Sequence, residues 1–118
     1  MKSTTHDEYI ASIPEPARQR LLDIQACVGA LHPDATRCIS YGMPAFRSRR
    51  VFFYFAAFKK HIGIYPPVMQ DTALIAELAP WRGPKGNLSF PLDQPLPLDL
   101  IGRVAVALRR QYDAREKA

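Results

Sequence analysis

Eight consecutive residues, Val51-Phe52-Phe53-Tyr54-Phe55-Ala56-Ala57-Phe58, carry no charge and hold four phenylalanines and a tyrosine. A segment so rich in rings has to be buried, yet it is far short of the ~20 apolar residues that cross a bilayer. Aromatic side chains suit a pleated surface, so the run predicts a strand. Lys59-Lys60 then reads as a two-residue connection into His61–Tyr65, where Ile62 and Ile64 share one face of a second strand. Pro66-Pro67 stops that strand. A hairpin of this composition needs a cover, and the rest of the chain offers helices.

Thr5 and Glu8 have the spacing of a capping box and predict a short first helix through Ile10 and Ser12. Pro16 suits the first turn of a second helix, in which Leu21, Ile24, Val28 and Leu31 recur at steps of three and four. His32-Pro33 ends it. Met69, Ala73, Ala76 and Leu78 predict a modest helix up to Pro80, Trp81–Gly86 a loop, and Asn87–Phe90 a further strand. A last helix begins near Pro97, with Ile101, Val104, Leu108 and Tyr112 as its apolar stripe. With 118 residues, 47% of them hydrophobic, this is one domain, residues 1–118, able to build its own core. The order of elements predicts an α+β fold, an antiparallel sheet packed against N-terminal and C-terminal helices. Leu21, Ile24, Val28, Leu31, Phe53, Phe55, Ile62, Ile64, Ile101, Val104 and Leu108 are its expected core.

Charge is distributed unevenly. Residues 37–60 contain Arg37, Arg47, Arg49, Arg50, Lys59 and Lys60 and no acid, within a chain whose formal net charge is +5. One surface near the middle of the fold should therefore attract anions. Within that segment Gly42 permits a tight turn and Pro44 stiffens the chain after Met43, holding Tyr41 and Phe46 at the sheet edge. Tyr41, Arg47 and His61 are the candidate residues for a small anionic ligand. A Met43–Pro44 cis bond is compatible with such a turn.

Other chemistries have less behind them. Cys27 and Cys38 make neither a CxxC pair nor a disulfide framework and read as core residues of a protein in a reducing cytoplasm. The polar Met1–His6 start has no apolar signal core. Arg47-Ser48-Arg49-Arg50 resembles a phosphate-contacting run, but the ring density of 52–58 suggests burial, and no nucleic-acid signature accompanies it. No nucleic-acid or membrane partner is expected, and the oligomeric state is left open. His6-Asp7-Glu8 is the densest group of hard donors and the candidate metal site, for weakly bound iron. Against it, neighbouring residues on a helix diverge by about 100°, and acids at a helix start stabilise the macrodipole without any metal.

Three segments carry a family resemblance: Ile39-Ser40-Tyr41-Gly42-Met43-Pro44-Ala45-Phe46, Tyr54 through Pro66, and Lys85 through Asp93 continuing into the last helix. Together with Asp7-Glu8-Tyr9-Ile10 they resemble the YdhG-like family, a domain of unknown function. The resemblance implies an α+β domain and, from a frataxin-like iron-chaperone description of one bacterial member, intracellular iron binding. Where members often carry acids just before the Ile-Ser-Tyr-Gly run, this chain has Thr36, Arg37 and Cys38. Three readings follow: a non-enzymatic iron-handling protein, a binding module for a small anion at the Gly42–Arg47 turn and the His61 hairpin, and an enzyme using Tyr41 and His61 as acid and base. No nucleophile–base spacing supports the last, so the chain is read as non-catalytic.

Overall fold

Five antiparallel strands run in sequence order across one sheet: β1 (Thr36–Ser40), β2 (Met43–Arg47), β3 (Val51–Ala57), β4 (His61–Tyr65) and β5 (Leu88–Pro91). The helices are α1 (His6–Ala11), α2 (Ala17–Leu31), α3 (Thr72–Glu77) and α4 (Leu98–Lys117), with a 3-10 turn at Ala79–Trp81. This computed structural model describes residues 3–117, and their side chains as far as residue 114. Met1 and Lys2, in the polar start noted above, fall outside that description. No helix among the described residues is long and apolar enough to cross a membrane.

Directly paired residues share a face of a sheet, so the register divides the side chains into two sets. Phe46 opposes Phe53; Phe55 opposes Ile64 and, one strand further, Leu88; Ala57, Ile62 and Phe90 form the next row. This inner face meets the helices. The β2–β3 register shifts between Phe46 and Arg47, and Phe52 is the residue left over. Such a bulge lets two consecutive side chains turn the same way. Phe52 and Phe53 are accordingly both fully buried, Phe52 beneath the His32 ring at 5.3 Å and the Arg109 guanidinium at 5.8 Å.

From α2 the inner face receives Leu21, Ile24 and Val28, and from α4 Ile101, Val104 and Leu108, all without solvent exposure. Asp71 caps α3 through its carboxylate, which accepts from the Leu74 amide at 3.1 Å. Leu74 and Leu78 then close the core's remaining edge. Thr5 caps α1 as expected, accepting from the Glu8 amide at 3.1 Å; Glu8 reaches back to the Thr4 amide, one residue earlier than a capping box has it.

Leu31 departs from the expected core, being 49% exposed. The buried row of α2 continues four residues beyond Val28 to His32, whose ring turns inward at the helix end, leaving Leu31 outside. Phe46 is no edge residue either, but lies in the core. The segment expected to be a turn is a complete hairpin in which only Tyr41 and Gly42 connect β1 to β2. Both have positive φ, 53° and 74°, as two-residue hairpins favour because that twist matches the strands. The β3–β4 connection is three residues long, Phe58–Lys60, with the Phe58 amide donating to the His61 carbonyl at 2.8 Å. The cis peptide bonds precede Pro16 and Pro66, not Pro44.

Candidate functional site

The expected metal group does not assemble. His6 is 4% exposed. Its Nε2 lies 2.9 Å from the Ala45 carbonyl and 3.1 Å from that of Cys38, and its Nδ1 lies 3.0 Å from the Gln25 side-chain amide. The ring stands edge-on to Phe46 and Phe55. This histidine clamps α1 and α2 to β1 and β2, and burial holds its pKa below the usual value. Both ring nitrogens are engaged, whereas Asp7 and Glu8 point to solvent; Thr4 donates to the Glu8 carboxylate and lowers its pKa. Among the described residues no group of three or more His, Cys, Asp or Glu side chains could hold a metal ion.

The candidate anion residues are also divided. Tyr41 tips the β1–β2 hairpin, and Lys59-Lys60 and His61 lie at the same end of the sheet. Arg47, Arg49 and Arg50 lie at the other end, across the length of β3. Seven residues of strand span roughly 23 Å. The two cation clusters thus do not add their fields at one point, and Tyr41, Arg47 and His61 do not line one pocket. They border one surface instead.

That surface is the outer face of the sheet. The register puts Cys38, Ala45, Tyr54 and Tyr65 in one row across four strands, and Ala56, Gly63 and Ser89 in another. No helix among the described residues covers them. Ala45 and Ala56 are nevertheless buried, and Gly63 is buried against Phe58 and Tyr65. A Cβ at Gly63 would stand 2.8 Å from the Phe58 ring and 3.0 Å from the Tyr65 hydroxyl. Glycine is needed there for close packing. The Phe58 and His61 rings are stacked at 5.0 Å, the Tyr41 and Tyr54 rings lie 6.0 Å apart, and the Ser40 hydroxyl meets that of Tyr54 at 3.3 Å. Near the Arg47 end, burial raises the pKa of Cys38, and the Arg47 charge opposes that shift.

None of the five strands, and none of the hairpin turns joining β1 to β4, contains an aspartate or glutamate. The acids lie on helices and in other loops, where several pair. Arg109 holds Asp34 at 2.8 Å, which lowers the Asp34 pKa to about 2, and Arg103 holds Glu77 at 2.8 Å. Asp93, just after β5, borders a cavity of about 510 Å³ with Lys59, Lys60, Pro91 and Leu92. Of the buried side-chain hydrogen-bonding atoms described, His32 Nε2 lacks a partner, and its ring packs edge-on against Phe52 at 5.3 Å.

Sequence reasoning missed Tyr54, Tyr65 and Phe58 as surface groups. The signal was the alternation within β3, which the uniform hydrophobicity of the run obscured. Cys27 and Cys38 are both free and partly covered. Burial pushes the Cys27 thiol up, as it does that of Cys38, so neither is a reactive thiolate near neutral pH.

No family model and no curated protein matches this sequence. Among solved structures, the chain is similar to the crystal structure of a DUF1801-family protein, YdhG, from Bacillus subtilis. The TM-score is 0.71 at 20% sequence identity, with 86% of each chain covered. A five-stranded antiparallel sheet flanked by N-terminal and C-terminal helices, as described above, is thus a YdhG-like α+β fold, agreeing with the resemblance carried by Ile39–Phe46, Tyr54–Pro66 and Lys85–Asp93.

Proposed function

We propose that the protein is a non-catalytic binding module that takes an anionic ligand on the open face of its sheet. The observation that carries this reading is a surface free of carboxylates, bordered by Arg47 and Arg49 at one end and Lys59 and Lys60 at the other. The strands carry no competing negative charge and cations stand at both ends of the face, although Asp113 accepts from Ser48 at the Arg47 end and Asp93 borders Lys59 and Lys60 at the other. Tyr41, Tyr54 and Tyr65 supply hydroxyl donors that would orient a bound oxyanion. His61 is stacked on Phe58, and among the described residues its ring nitrogens make no hydrogen bond to a nucleophile or carboxylate, which favours binding over acid–base chemistry.

Thermal unfolding in the presence of inorganic phosphate, at two ionic strengths, tests this. Phosphate should raise the melting temperature, and less so at high salt, because exposed charges are screened over ~8–10 Å. Arg47→Ala should diminish the gain, whereas Arg110→Ala, on the exposed side of α4, should not. No stabilisation of the parent at either salt concentration would overturn the reading.

Iron handling, implied by the resemblance, lacks a donor cluster among the described residues. The same preparation can be titrated with Fe(II) anaerobically. A saturable site that disappears in an Asp7→Asn, Glu8→Gln double variant would restore the iron reading.

A further inference from the structure

The open sheet face carries more than charge, and its other component narrows the ligand. Rings lie across it in succession from the β1–β2 hairpin to β4: Tyr41, Tyr54, Tyr65, and the stacked pair Phe58 and His61. The small residues Ala45, Ala56 and Gly63 lie between them on the same face, and the Phe58 and Tyr65 side chains close over Gly63. Tyr41 and Phe58 are exposed and Tyr54 and Tyr65 half-buried, and exposed aromatic rings are the groups on which a planar base stacks. Tyr41 adds a second observation. It is 88% exposed and held at φ 53°, a left-handed conformation that costs a tyrosine about 1 kcal/mol or more. The hairpin turn requires that conformation, but an aromatic so exposed packs no core and is available to a ligand.

From these features we infer that the face binds single-stranded nucleic acid, bases stacking on the tyrosines and phosphates meeting the cations at the two ends. This rests on the anion-binding reading above. Charge complementarity selects the occupant. A polyanion about as long as β3 can reach both cation clusters, roughly 23 Å apart, whereas a single small anion reaches one. That length suits about four nucleotides, the low end of the range for stacking platforms. A double helix keeps its bases paired and offers them no rings to stack on, so the face should discriminate against duplex. The ring density that suggested burial from the sequence holds for Phe52, Phe53 and Phe55, and not for Tyr54 and Phe58.

The test is fluorescence anisotropy with a labelled oligothymidylate, its duplex with oligoadenylate, and inorganic polyphosphate, using the full chain. The single strand should bind more tightly than the duplex. Tyr54→Leu and Tyr65→Leu, which keep an apolar side chain at each position, should each weaken single-strand binding about fivefold or more, the loss typical of one stacked base. Tyr41→Ala, at a position no core residue covers, should weaken it without lowering the melting temperature. Equal binding of duplex, polyphosphate and single strand, unchanged in the tyrosine variants but lost in Arg47→Ala, would overturn this inference and leave the anion reading standing. Absence of binding by all three polyanions, together with no stabilisation by phosphate, would remove both.

Discussion

The two faces of one sheet are built from the same strands under different constraints. Along β3, Phe53 and Phe55 point inward beneath α2 and α4 without exposure, while Tyr54 between them points outward and stays half-buried. The inner row is phenylalanine, isoleucine and leucine, the outer row tyrosine beside alanine and glycine. Volume fills a core; a hydroxyl-tipped ring beside a small residue makes a surface that is apolar in its body and wet at its tip. The difference teaches that aromatic density does not report burial. What separates the faces is which rings carry a polar end and what size of residue lies beside them.

The largest expected effect lies inside. Phe55→Ala should destabilise by about 3–5 kcal/mol, since a fully buried ring leaves a cavity that its neighbours fill incompletely. Tyr54→Ala, one residue away, should cost clearly less. Denaturant unfolding of the two variants side by side measures this, and equal losses would break the distinction between the faces. Leu108→Ala belongs with Phe55, and Leu31→Ala with the tolerant positions.

The inner face was the legible part of the molecule. Periodicities of three and four in α2 and α4, and the run 51–58, located Leu21, Ile24, Val28, Ile101, Val104 and Leu108 because burial repeats with the geometry of the element. The hairpin of β1 and β2 was not legible: Tyr41-Gly42 places a tyrosine where asparagine or aspartate is the usual signal for such a turn. His6 looked like a ligand because sequence shows neighbours along the chain, whereas its partners, Gln25, Cys38 and Ala45, come from three other elements. Arg47 and Lys59 are close in sequence terms yet separated by the whole of β3, since a strand is the longest way to connect two points per residue.

A second prediction concerns the floor of the outer face. Gly63→Ala should cost about 1–3 kcal/mol, because the new methyl would sit 2.8 Å from the Phe58 ring and force it to move. Phe58 is itself partly exposed, so part of the strain is relieved by swinging that ring outward. Thermal melts should therefore show a loss smaller than that of Phe55→Ala. A loss as large would mean the outer face packs like the core.

A third prediction separates the faces by pH. His6 and His32 are both held below their ordinary pKa of 6.5, chiefly by burial. At His6 the Ala45 and Cys38 carbonyls oppose this, with Arg37 adding to it and Asp7 opposing it; Arg109 adds at His32, opposed by Asp34 and Asp113. The unfolded chain therefore binds protons that the fold does not, and stability falls as pH drops from about 7 through 6.5 towards the folded values. Melting temperature followed from pH 7.5 to 5 should decline. His6→Gln, whose amide can still donate to the Ala45 carbonyl, should start lower and decline less steeply. A pH-independent parent would mean that burial does not disfavour the charged rings.

The smallest effect is expected at the Tyr54 hydroxyl. Its contact with Ser40 is 3.3 Å long and only part-buried, so replacing it by hydrogen removes a weak bond and leaves the ring where it was. Tyr54→Phe should shift stability by less than about 1 kcal/mol, since a net hydrogen bond contributes roughly 0.5–1.5 kcal/mol and water can replace this one. Paired with Tyr54→Ala, it divides the outer-face contribution into hydroxyl and ring. If Tyr54→Phe costs as much as Tyr54→Ala, the hydroxyl network and not the packing of the ring beside Ala45 holds the outer surface. If it costs almost nothing, the outer face is held by the contact of a flat ring with the small residues beside it, an arrangement to which a stacked ligand would add a further contact.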